Sequence, residues 1–270
     1  MWMLRLPRRC DAQVRAGEYE VLLEGPAVTE IWEGKIIMDK INLFKDALPK
    51  AHFRRLGRAV HAVGTERMEN MGSYNTTFWF PIGVNPTNIV EECISKLYAL
   101  VRPGPNCIGM EWWLGRLKFG EGLAFHTDRD RSLRHQTGEI VHPLWSSILY
   151  LNRFPSSPTI VLDQVLSSDG KSWIPPVAKT GRSLDAVPNH YVAFRGDLRH
   201  GVVASERAKK PPAGFKKNEV FPELRLTLLV NYWDRRPSPP NCQDYDGTIY
   251  RSIKDEGISQ RAGSRRRPAA

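Results

Sequence analysis

The sequence predicts a mainly β protein of α+β type, an antiparallel sandwich or barrel braced by helices near its N-terminus. Three observations carry this. Short apolar runs separated by turn residues fill the stretch after Gly104. A capped helical pattern precedes them. The 270 residues, 41% hydrophobic and 25% charged, can bury one substantial core.

In chain order, "YEVLLEG" and "GKIIMDKINLF" read as strands or buried segments. "KAHFRRLGRAVHAV" (50–63) follows Pro49 with helical spacing. "PTNIVEECISKLYALVRPG" is the clearest helix. Thr87 or Asn88 can cap it, two glutamates occupy its first turn, and Ile89, Cys93, Leu97 and Val101 fall on one face before Arg102-Pro103-Gly104 stops it. Then come "GMEWWLGRLKF", a "GEG" turn, "LAFHTD", a polar loop and "PLWSSILYLN". "PTIVLDQ", "HYVAFRGD", "HGVVAS" and "ELRLTLLVNYWD" complete the series. Many short strands at close spacing suit an antiparallel sandwich or barrel. Residues 1–104 are expected as a mixed segment packed on the core, 105–236 as the β domain with a basic insertion at 206–222, and 237–270 as a basic, partly disordered tail.

Four scattered cysteines form no C-x-x-C pair, which argues against a zinc site or a disulfide framework. The N-terminus has no apolar h-region and no apolar run would cross a bilayer, so a cytoplasmic or otherwise intracellular setting is expected. The formal charge of +10 favours acidic ligands or nucleic acid as partners, or simply a solvated surface. No nucleic-acid module is legible.

His126 stands two residues before Asp128, just past a glycine turn. On an extended strand both side chains emerge on one face, where they could bind a metal, pair as a catalytic dyad or have no chemical role. His200, after a strand and turn in "FRGDLRHGVV", supplies a third candidate. Two imidazoles and one carboxylate without a thiolate suit Fe(II) with open coordination positions. His135, His142 and His190 are rivals for the third ligand but read as loop or surface histidines, and His52 and His61 belong to the N-terminal helical part. Arg225 and Thr227 share one face of the late strand. A guanidinium on an apolar strand calls for a carboxylate, here the far end of a bound oxo-acid. Tyr150 could add a phenol from a neighbouring strand. Trp173 is a candidate pocket wall, while Arg129, Arg131 and Arg134 form a solvated loop or face an anionic substrate.

With "HTD", "SSILYLN", "LRHGVV" and "RLTLLVNYWD" in this order, the stretch from Glu111 to Asp234 resembles the Fe(II)/2-oxoglutarate-dependent dioxygenase superfamily, in its prolyl-4-hydroxylase-like branch. The resemblance implies a double-stranded β-helix, or cupin-like jelly roll. It implies Fe(II) on His126, Asp128 and His200, with 2-oxoglutarate and dioxygen as co-substrates. Arg225 and Tyr150 would hold the distal carboxylate of 2-oxoglutarate, with Thr227 beside them. The reaction implied is hydroxylation of a C–H bond in a small molecule or peptidyl residue, releasing succinate and CO2.

Two departures from the pattern stand out. The basic "AKKPPAGFKK" intervenes between His200 and Arg225, and "SPTIVLDQ" replaces the glycine-glycine-glutamate that usually follows "YLN". The second disfavours peptidyl-proline as the substrate. Nucleic-acid demethylation by the same chemistry is disfavoured, because Asn231 stands where alkylated-base demethylases carry a second arginine. A non-catalytic jelly-roll binding module is the remaining alternative, and it would be favoured by a lost ligand. The sequence has lost none.

Overall fold

The computed structural model describes residues 41–63, 76–204 and 224–254. "YEVLLEG", the basic insertion at 206–222 and the chain beyond Lys254 lie outside the described residues. The elements are β1 (Ile41–Phe44), α1 (Lys50–Val63), β2 (Thr77–Pro81), α2 (Ile89–Val101), β3 (Gly109–Lys118), β4 (Leu123–His126) and α3 (Arg131–Thr137). β5 (Trp145–Tyr150), β6 (Phe154–Leu166), β7 (Trp173–Ile174), β8 (Gly181–Ala186), β9 (Tyr191–Arg195), β10 (Leu198–Val202), β11 (Leu224–Trp233) and β12 (Cys242–Asp244) follow.

These strands make two sheets. The larger runs β1-β9-β5-β11-β3-β2-β12, antiparallel except where β12 joins β2. The smaller runs β4-β10-β6-β7, and β8 also pairs with the long β6. This is a sandwich of jelly-roll type, as the sequence predicts. The larger sheet recruits β1 and β2 from the segment before residue 105 and β12 from the segment after 236.

Strand parity divides the core. On β11, Leu226, Leu228, Val230 and Tyr232 turn outward to meet Leu56 and Val60 of α1 and Ile89, Ile94 and Leu97 of α2, in one buried cluster with Trp112 and Leu149. Burying each such aliphatic side chain contributes about 1.5–3 kcal/mol, which fastens the two helices to the sheet. Ile148, Tyr150, Val192 and Phe194 turn inward and pack against Phe154, Val161, Leu184 and Leu198 between the sheets.

The helix over 89–101 forms as predicted. The Asn88 side chain accepts from the amides of Val90 and Glu91, and Arg102 ends the helix in the left-handed conformation. Residues 131–137, predicted as polar loop, instead form α3. Asp130 caps its start by accepting from the Leu133 amide, and Gly138 ends it with a φ of 82°. Seven residues without an apolar stripe carry no periodic signal, so only the caps announce this helix.

Among the described residues, no helix is long and apolar enough to cross a membrane. Cys93, Cys107 and Cys242 are free and buried.

Candidate metal centre

His126 ends β4 and His200 lies in the middle of β10, and the antiparallel pairing sets them directly opposite each other. Opposed residues share a face, and here the rings lie 4.5 Å apart between centroids. Gly201 permits this approach. A Cβ there would fall 2.8 Å from the Leu123 carbonyl oxygen and 3.0 Å from the Phe125 ring, so any side chain would force β10 off β4. The register shifts at this point, between His200 and Val202.

Asp128, just beyond β4, completes the group. Its carboxylate oxygens lie 3.7 Å from His126 Nε2 and 3.8 Å from His200 Nε2. One ligand atom from each of the three residues falls within 4.8 Å of the others. Backbone bonds choose the tautomers. Nδ1 of His126 faces the Ala124 carbonyl at 2.7 Å, and Nδ1 of His200 faces the Leu198 carbonyl at 3.0 Å. A carbonyl can only accept, so each Nδ1 carries a proton and Nε2 is the nitrogen a neutral ring would offer as a ligand. Burial pushes the His200 imidazole below its ordinary value against the opposing pull of Asp128. Burial would raise the Asp128 carboxyl, but His200, His126 and hydrogen bonds from Ser146 and Asn231 together hold it below the usual carboxylate range. Two imidazole Nε2 atoms and one carboxylate oxygen thus converge, a donor set that suits a divalent cation.

The larger sheet fixes the carboxylate. Ser146 Oγ on β5 donates to Asp128 Oδ2 at 2.7 Å, the Asn231 amide on β11 donates to the same carboxylate, and His142 Nδ1 donates to the Asp128 backbone carbonyl at 2.5 Å. The imidazoles therefore ride on one sheet while their acidic partner is oriented by the other. Partners of this kind tune metal affinity by about 10–100-fold, so Ser146→Ala is expected to weaken Mn(II) binding within that range, read by metal titration.

Arg225 enters the same interior space from β11. It is 4% exposed, donates through one Nη to Thr159 Oγ1 at 2.5 Å, and lies 5.2 Å from the centre of the Tyr150 ring. Tyr150 is fully buried behind it and donates its own hydroxyl to Thr159 at 3.0 Å. Thr227 lies on the Arg225 face, paired with Tyr150 across β5 and β11.

A cavity of about 390 Å³ joins these groups. His126, Asp128, His200, Arg225, Thr227 and Thr159 line it, with Trp113, Ile148 and Leu229 as apolar wall. Tyr150 is not among the lining residues and reaches the cavity through Arg225 and Thr159. Arg129 and Arg131 line the cavity, whereas Arg134 donates to the Gly138 carbonyl. Trp173 packs under Arg199, 4.4 Å from its guanidinium carbon, and is not part of the lining. Of the rival histidines, His135 falls on α3 and His190 precedes β9, and neither joins the cluster. Pro237, Ser238, Asn241 and Cys242, within the stretch predicted as tail, also line the cavity. They are tied down where Asp130 accepts from the Ser238 amide at 2.7 Å and Ser132 donates to Asn241 at 2.6 Å.

Sequence reasoning did not single out Thr159, Ser146 or Glu111. Glu111 is buried in the cavity wall on β3, accepting from Thr77 Oγ1 at 2.6 Å and from the Trp233 indole at 3.0 Å. Burial pushes its carboxyl up to about 7, although the Thr77 bond pulls downward. A proton held more tightly in the folded than in the unfolded chain makes stability fall as pH rises from about 4.5 to about 7. The loss is about 3 kcal/mol. Melting temperatures of metal-free protein check this: wild type should lose ground to Glu111→Gln across that interval, and parallel curves would contradict it.

No protein-family model matches the sequence, and no curated protein matches it. Among solved structures, the chain is similar to a prolyl-4-hydroxylase from Pseudomonas putida, at 15% identity and a TM-score of 0.40 over 73% of this chain and 88% of that one. It is also similar to AviO1 from Streptomyces viridochromogenes, at 16% identity and a TM-score of 0.45 over 74% and 92%. A third is HygX from Streptomyces hygroscopicus, solved with nickel and 2-oxoglutarate bound, at 12% identity and a TM-score of 0.40 over 79% and 94%.

Proposed function

We propose that this protein is an Fe(II)- and 2-oxoglutarate-dependent oxygenase that hydroxylates a C–H bond of a small molecule or peptidyl residue, releasing succinate and CO2. One observation carries the reading: two imidazole Nε2 atoms and a fixed carboxylate converge in a cavity that also holds a buried guanidinium. His126, Asp128 and His200 would hold the metal, which when bound supplies the oxidative chemistry with dioxygen and 2-oxoglutarate.

The chain's own residues have three tasks. Ser146 and Asn231 keep the Asp128 carboxylate aimed at the two imidazoles. Arg225, propped by Thr159 and the face of Tyr150, receives the distal carboxylate of 2-oxoglutarate through charge-assisted hydrogen bonds, with Thr227 beside it. The walls of Trp113, Ile148 and Leu229 exclude water from the reacting centre. Arg129 and Arg131, which line the cavity, would suit an anionic group on a part of the substrate away from its reacting carbon.

Purified protein supplied with Fe(II), oxygen and 2-oxoglutarate should release succinate. Binding of Mn(II) and of 2-oxoglutarate is measured alongside, because neither depends on the true substrate. Absence of both binding events would overturn the proposal.

A further inference from the structure

Arg225 lies toward one end of β11, and six residues along the same face the strand meets a different chemistry. Asn231 and Glu111 are cross-strand partners of β11 and β3, so their side chains emerge side by side into the cavity. Asn231 is 3% exposed. Its amide N–H is committed to Asp128, which turns its carbonyl Oδ1 away from the metal ligands, and that oxygen is buried without a hydrogen-bond partner. Beside it, each oxygen of the ionised Glu111 carboxylate accepts one hydrogen bond, from Thr77 or from Trp233, and retains a second lone pair for a donor.

Two neighbouring acceptors, one of them buried and unsatisfied, form an arrangement that a donor must complete. A buried acceptor left without a donor costs about 1–3 kcal/mol. The charged groups facing Glu111 deepen the need, because Asp128 and Asp130 are both acidic. Cys242, backed by Trp79 and Trp233, lines this end of the cavity and gives it an apolar element.

We propose that Glu111 and Asn231 form a substrate-positioning subsite at the end of the cavity opposite Arg225, one that binds a hydrogen-bond donor of the substrate, an amine or a hydroxyl. The substrate is then held by its donor group near Glu111 while its reacting carbon lies toward His126 and His200. This inference rests on reading the centre as a metal and 2-oxoglutarate site, and it adds the polarity of the substrate's anchoring group.

The test uses the full chain loaded with Mn(II) and 2-oxoglutarate without oxygen, so that nothing turns over. Butylamine, 1,3-propanediol and butyrate serve as probes, and the relaxation that bound Mn(II) induces in their C–H protons reports occupancy beside the metal. Metal binding is measured separately from the spin resonance of Mn(II). The amine, the diol or both should relax roughly 10-fold more strongly than butyrate in wild type, and Glu111→Gln should remove most of that excess. Glutamine can still accept from Trp233 and donate to Thr77, so the variant keeps both wall contacts, and a thermal melt confirms that it folds. An amine-only response assigns an ammonium anchor, and a diol response a hydroxyl anchor. Equal relaxation of butyrate and the donors in wild type would overturn the subsite whatever the variant does, as would an excess unchanged in Glu111→Gln. Loss of Mn(II) binding itself would instead overturn the reading of the metal centre.

Discussion

Replacing His126 with alanine should weaken Mn(II) and Fe(II) binding by at least about 100-fold and end succinate release, because removing a ligand must exceed the loss caused by removing its supporting partners. His126 is the informative choice among the three. Its side chain is 35% exposed and bonds to the Ala124 carbonyl, so the metal-free protein has little packing to lose. His200 differs. It is 5% exposed and packs edge-on against Phe194, with 4.9 Å between the ring centroids, so truncating it would open a cavity between the sheets as well as remove a ligand. A melting temperature unchanged in metal-free His126→Ala, together with lost affinity in a metal titration, separates ligation from folding. Unchanged affinity would mean that the imidazoles lie together for packing alone.

The parts of this centre that were legible in the sequence are those encoded locally. His126 and Asp128 are two residues apart, and Arg225 and Thr227 are two apart, so strand periodicity groups each pair without any knowledge of the fold. Helix α2 announces itself through Asn88, its first-turn glutamates and its stop at Arg102. The unread parts depend on register between distant strands. Ser146 is one of two adjacent serines in "WSSILY", and only the parity shared with Ile148 and Tyr150 shows that it, and not Ser147, turns toward Asp128. Thr159 meets Arg225 across the gap between the sheets, a pairing no short window encodes. Glu111 is buried among aromatic neighbours, and its role becomes visible once Asn231 is known to lie opposite it. Counting by twos from Arg225 through Thr227 and Leu229 reaches Asn231, so that strand already carried one end of the cavity wall to the other. β12 was beyond reach for the same reason: its pairing with β2 joins residues far apart in the chain.

Arg225→Ala should raise the 2-oxoglutarate concentration needed for half-saturation by about 100-fold or more, since two charge-assisted hydrogen bonds at roughly 1.5–3 kcal/mol each are removed together. A cation only 4% exposed between two sheets carries a desolvation penalty of several kcal/mol, which Thr159 and the Tyr150 ring offset in part. An entering carboxylate would add charge-assisted hydrogen bonds to the guanidinium, so affinity for the anion should scale with the fit of the fork and not with charge alone. Arg225→Lys then recovers part of the binding, because an ammonium keeps the charge and loses the planar pair of donors. Tyr150→Phe, which removes the hydroxyl bonded to Thr159 and leaves the ring beneath the guanidinium, should cost only a few-fold. Calorimetric titration of 2-oxoglutarate into Mn(II)-loaded protein measures all three without depending on turnover. Should Arg225→Ala bind 2-oxoglutarate as tightly as wild type, the anion must sit against another cation of the cavity wall, and Arg116, on the neighbouring strand β3, is the residue to test next.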